Sequence, residues 1–235
     1  MIAGLSKAIT LYLAPVIALT ATILSLLAFL APTLLLHDQV ALLTVTPSSV
    51  LQRGSTESVD GPSVFMGALG SCARPNNAAG INCTESSVSP QYDLSLLPSN
   101  APILLLSPPA ATTPVFIAVA LSFSALFLFS FTLISFRHKM PGKLSMLLEK
   151  PALQRLSAWM GFFGFMIGLT SFLVVRMWFG KAIQDFNASI QSQGEKGPKL
   201  IASSGNAFTM IWVAYAFYAV PIIISLAKLN VTASK

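Results

Sequence analysis

Four stretches of this sequence, residues 11–36, 114–136, 157–175 and 207–226, run without one charged side chain. An α-helix of roughly 20 apolar residues crosses the hydrocarbon core of a bilayer, and each stretch is that long or close to it. The expected fold class is therefore a membrane all-α four-helix bundle. Composition agrees: 9% of residues are charged and 54% are hydrophobic, against about 25% charged in soluble domains. Too few charges remain to solvate a globular surface. The apolar content excludes disorder, and the scarcity of basic clusters excludes a nucleic-acid partner. Two cysteines cannot build a cysteine-rich scaffold or a four-thiolate zinc site. The first stretch exceeds the roughly 7–15 residues of a signal-peptide apolar region, so it is expected to remain as a span.

Basic residues in short loops face the cytoplasm. Segment 137–156 holds Arg137, Lys139, Lys143, Lys150 and Arg155 against the single acid Glu149. Segment 37–113 holds Arg53 and Arg74 against Asp38, Glu57, Asp60, Glu85 and Asp93. The first is expected inside and the second outside. That places both short termini, 1–10 and 227–235, in the cytoplasm and leaves no signalling domain in the chain. Segment 176–206, with Arg176, Lys181, Lys196 and Lys199, falls outside by count despite its charge.

Segment 37–113 exceeds the roughly 12–15 residues of an ordinary connector. Within it 39–46 (QVALLTVT) and 63–69 (SVFMGAL) are β-branched or apolar runs suited to strands. Residues 101–106 (APILLL) suit a third strand or a membrane-surface segment. A small, mostly antiparallel extracellular β subdomain is expected. Cys72 and Cys83 flank turn-forming residues, Arg74 to Gly80, so a disulfide can close a hairpin there, which stabilises by roughly 2–3 kcal/mol. A metal pair or a catalytic thiol competes with that reading, but no histidine is close to either cysteine in sequence. Asn82 and Asn187 head glycosylation sequons on the expected outer side; Asn230 heads one on the inner side.

Four spans with a long first outer segment carrying Gly67, Leu69, Gly70 and Cys72, and then Cys83, resemble the claudin-like superfamily. The run Gly67 to Cys72, followed by Cys83 and by Pro90-Gln91-Tyr92, most resembles its fungal branch, the Sur-seven/PalI family. Ser71 stands where that family often has an aromatic. No tryptophan occurs in segment 37–113, which separates the chain from junction-forming claudins. The resemblance implies a fungal plasma-membrane protein, without enzymatic activity, that organises cortical domains (eisosomes) and affects the cell wall. The same family also includes assistants of an ambient-pH-sensing receptor.

Ionisable groups inside spans mark transport paths, and these spans have none. His37, Arg137 and Arg176 fall at interfaces, where snorkelling accounts for them. No histidine has a triad-like neighbour, so no catalytic residue, cofactor or metal is expected. Ser157, Gly161, Gly164, Gly168 and Ser171 recur at helical spacing and form one stripe of small residues. Such stripes let helices approach in lipid, either within the bundle, between copies or against a larger membrane-protein partner. Trp212, Tyr215 and Tyr218 form an aromatic face suited to core packing or to a sterol. The basic loop suits anionic lipid. The expected role is a non-catalytic organiser or accessory subunit. The alternative is an oligomeric channel or transporter lined by Ser122, Ser124, Ser130, Thr132 and Ser135 of the second span.

Overall fold

The computed structural model describes residues 9–53, 59–102 and 112–233. Four helices are long and apolar enough to cross a membrane. The first is α1, Ala14–Leu30, entered through a π-helical turn, Ile9–Leu13. After a short helix α2 (Val50–Arg53) come α3, Thr112–Ser135, and the short helix α4, Lys143–Glu149. The last two are α5, Pro151–Gln193, and α6, Ala207–Ala233, which runs on through Pro221. A five-stranded antiparallel sheet completes the chain: β1 Leu43–Pro47, β2 Ser63–Met66, β3 Ser71–Arg74, β4 Asn82–Cys83 and β5 Leu200–Ser204. Its order is β4-β3-β2-β1-β5.

Several expected boundaries move, including the start of α5, at Pro151, and the end of α6, at Ala233. The first span ends at Leu30, because the 31–36 stretch leaves the helix at Pro32, whose ring cannot continue it. The third helix does not stop near 175 but continues to Gln193, so segment 176–206 is not a loop. The sequence carries the reason. Phe172, Val175, Phe179, Ala182, Phe186 and Ile190 recur every three or four residues and are all buried, and no proline interrupts them. The apolar stripe of an amphipathic helix thus runs on after the uncharged stretch ends. Strand β2 falls within its expected run and β1 overlaps the other, extending one residue beyond it to Pro47, whereas β5 is not among the expected strands. Residues 103–106 of the third expected strand lie outside the described residues, as does Glu57.

The described residues form two compact units. One contains the chain up to Leu26, Phe116–Ser171 and the chain from Ile211. Its core joins Ala14 and Ala21 of α1, Phe127 and Phe131 of α3, and Tyr218 and Ile222 of α6. The other contains described residues of Leu27–Val115 and Phe172–Met210, including the whole sheet.

Within the helical unit the small-residue stripe of α5 is filled by its own neighbours. A Cβ on Gly161 would lie 2.6 Å from the Phe127 ring, and one on Gly164 would lie 3.0 Å from Phe123 Cβ. Gly168 receives the Tyr215 hydroxyl and Ala120. Ser157 is buried and shares a 2.7 Å hydrogen bond with Ser130 of α3. Ser171 is buried too, its hydroxyl donating to Ile167 O at 2.7 Å. The stripe is therefore a docking groove for α3 and α6 inside the monomer. Tyr215 and Tyr218 turn to the core, against Phe165 at 5.6 Å and Phe127 at 5.5 Å between ring centroids. Trp212 stays on the outside. That aromatic face serves packing.

Candidate functional site

The residues of the family-like motif converge on the β2–β3 turn. Gly67 lies against the Ala31 carbonyl and the Pro32 ring, where no Cβ fits. Its carbonyl accepts the Tyr92 hydroxyl at 3.0 Å, and burial of Tyr92 pushes its phenol up, keeping that donor protonated. Gly70 has a φ of +154° and faces Thr84 and Thr33, a conformation that only glycine adopts freely. Leu69 is buried, and its carbonyl accepts Ser87 N–H. Ser71 has its own work in place of an aromatic. It is buried, its hydroxyl accepts Asp93 N–H at 2.9 Å, and its backbone N–H donates to Thr84 Oγ1 at 3.0 Å.

Cys72 and Cys83 face each other across β3 and β4 and are disulfide-bonded. The turn between them is held by Asp60, whose carboxylate accepts Asn77 N–H at 2.9 Å. Cys72 is fully buried beside Ala41 and Phe65, while Cys83 is exposed. On the same sheet face the Arg74 guanidinium lies 5.6 Å over the Phe65 ring.

His37 corrects the expectation that no histidine lies near either cysteine. Its Nδ1 is 2.6 Å from Pro32 O, 3.5 Å from Cys83 Sγ and 4.0 Å from Cys72 Sγ. A carbonyl only accepts, so Nδ1 carries the proton. Leu36, at φ +55°, turns the chain to present it; a non-glycine residue in that region is strained. The three ligand-type atoms lie within 4.8 Å of one another. With the sulfurs joined, neither offers the thiolate that a metal takes, so the oxidised group is no metal centre. The signal was invisible in sequence, because 35 residues separate His37 from Cys72.

The other expected site residues divide. Asn82 is exposed on β4. Asn187 is committed: its amide donates to Ala202 O at 2.8 Å and accepts Ala202 N–H at 2.9 Å. It thereby satisfies the free edge of β5. Arg176 donates to Ser204 Oγ at 2.6 Å and lies 5.0 Å over the Phe208 ring. Lys181 pairs with Asp185 at 3.0 Å on the surface. Two of the basic residues that spoiled the charge count of segment 176–206 thus have local partners.

Within the spans several hydroxyls bond to carbonyls of their own helix. Ser122 donates to Ala118 O and Ser124 to Ala120 O, both at 2.9 Å, and Thr20 and Thr22 donate to carbonyls four residues back. In the helical unit Lys139 lies 5.6 Å over the Tyr12 ring and 5.9 Å over Phe136. No family model, curated protein or solved structure matches the chain.

Proposed function

We propose that the chain is a non-catalytic plasma-membrane organiser or accessory subunit, with the sheet outside and both termini in the cytoplasm, as its resemblance to the Sur-seven/PalI family implies. One observation carries this reading: the spans lack charge, and Ser122, Ser124 and Ser130 spend their hydroxyls on carbonyls of their own helix. A pathway for ions needs polar groups aimed at a shared lumen. These three hydroxyls of the five expected to line a channel are spent, which counts against the channel reading. What the spans offer neighbours is outward apolar surface, such as Trp159, Phe163 and Met166 along one side of α5. Because the glycine stripe is occupied within the monomer, lateral partners meet these larger side chains. On the cytoplasmic side Met146 and Leu147 of α4 are exposed amid the basic loop, a composition suited to the anionic inner leaflet.

Purification in gentle detergent with mass determination tests the reading. A particle containing several copies, or one copy with a larger membrane protein, is expected. A strictly monomeric particle overturns it. Ion flux from the pure protein reconstituted into liposomes transfers the assignment to a channel.

A further inference from the structure

The Cys72–Cys83 bond has three features that a merely bracing disulfide does not need. The first is unequal access. Cys83 is exposed and Cys72 is fully buried, so an incoming thiolate reaches one sulfur only. The second is that each sulfur, once released, already has a partner. The Nδ1–H of His37, which donates to Pro32 O at 2.6 Å, also lies 3.5 Å from Cys83 Sγ, so a thiolate formed there can share or take over that donor. Pro32 O is 3.4 Å from Cys72 Sγ, ready to accept from a thiol. The third is that β4 stays in place without the bond. Thr84, next to Cys83, donates both its N–H and its hydroxyl to Ser71 O, at 2.9 and 3.2 Å, and accepts Ser71 N–H. The two sulfurs therefore remain opposite each other after cleavage and can rejoin.

We propose that Cys72–Cys83 is an exchangeable redox site for a small thiol of the glutathione class, with His37 as its positioning residue. This goes beyond the organiser role and does not rest on it. The thiolate attacks Cys83 Sγ, forming a new S–S bond there. The electron pair of the old bond leaves on Cys72 Sγ, which takes a proton from water and donates to Pro32 O. A second thiolate attacks the sulfur of the bound small thiol and leaves as the oxidised small-molecule disulfide. That step releases the Cys83 thiolate to His37 N–H. The protein disulfide is reduced, two small thiols are oxidised, and the sum is balanced. A reduced form stabilised in this way makes a disulfide more readily reducible.

The full-length protein in membranes, exposed to reduced glutathione, quenched with a maleimide and mapped by mass spectrometry, tests this. Glutathione is expected on Cys83, and a reduced pair as its concentration rises. His37→Ala is expected to slow reduction about tenfold and to lower the reduced fraction, since it removes a hydrogen bond to a charged group. A purely structural histidine predicts the reverse, because loosening the 32–37 turn exposes the bond and speeds its reduction. Equal or faster reduction of His37→Ala overturns the proposal. So does glutathione on Cys72, or no reaction of the wild type. If His37→Ala does not fold, the wild-type adduct position decides alone.

Discussion

The helical unit and the sheet unit solve the same problem, close packing, by opposite means. In the helical unit, small residues on α5 admit large rings from α3 and α6: Gly161 against Phe127, and Gly168 against Tyr215. Lipid tails are as apolar as the side chains, so burial drives little there and fit must supply the association. The sheet unit is fixed by direction instead. Its register is set by five antiparallel strands, by Asn187 on the β5 edge and by a covalent bond at β3–β4. Its tight points are backbone against backbone, as where Gly205 meets the Ala41 carbonyl. The lesson is that the first unit tolerates adjustment, because a side chain can move, and the second does not.

Substitutions sharpen this contrast. The largest effect is expected in the sheet unit from Gly205→Ala, whose Cβ would overlap Ala41 backbone that β1 holds in place. Overpacking usually costs about 1–3 kcal/mol and more where nothing yields, so a loss of about 3 kcal/mol or more is expected in thermal unfolding in detergent. A neutral result removes the claim of rigidity. Replacing Cys72 and Cys83 together by alanine is expected to cost about 2–3 kcal/mol by loop entropy, read in the same assay under oxidising conditions. Asn187→Ala strips both backbone partners from Ala202 and should cost about 2 kcal/mol; hydrogen exchange at Ala202 should rise with it. In the helical unit Gly161→Ala must displace only the Phe127 ring, for about 1–2 kcal/mol. Gly180→Ala, on the same helix with open space around its Cβ, should instead stabilise by up to about 1 kcal/mol through helix propensity. If the two alanines have the same sign, the groove on α5 is not a groove.

Much of the helical unit was legible from periodicity and charge. A span announces itself because lipid admits no charge at its centre, and a stripe of small residues is a local pattern on one helix. The destination of that stripe was not legible: whether Gly164 and Gly168 meet α3 and α6 or another molecule depends on which surfaces are left over after folding. The continuation of α5 to Gln193 was written in the spacing of Phe179, Ala182, Phe186 and Ile190, but the absence of an uncharged run hid it. Strand β5 gave a weaker signal still, since five residues between a proline and a glycine read as easily as a loop.

The sequence by itself determined how many helices can cross a bilayer, which residues break or permit them, and that two thiols can meet across a turn. These follow from properties carried by neighbouring residues, namely hydropathy, helical spacing and backbone freedom. Only the tertiary structure decided that His37 stands beside the disulfide, that Asn187 closes the sheet edge, and that Tyr215 fills the glycine groove. Those pairings join residues 15 to 47 positions apart, and no local rule encodes which distant surfaces come to share one site.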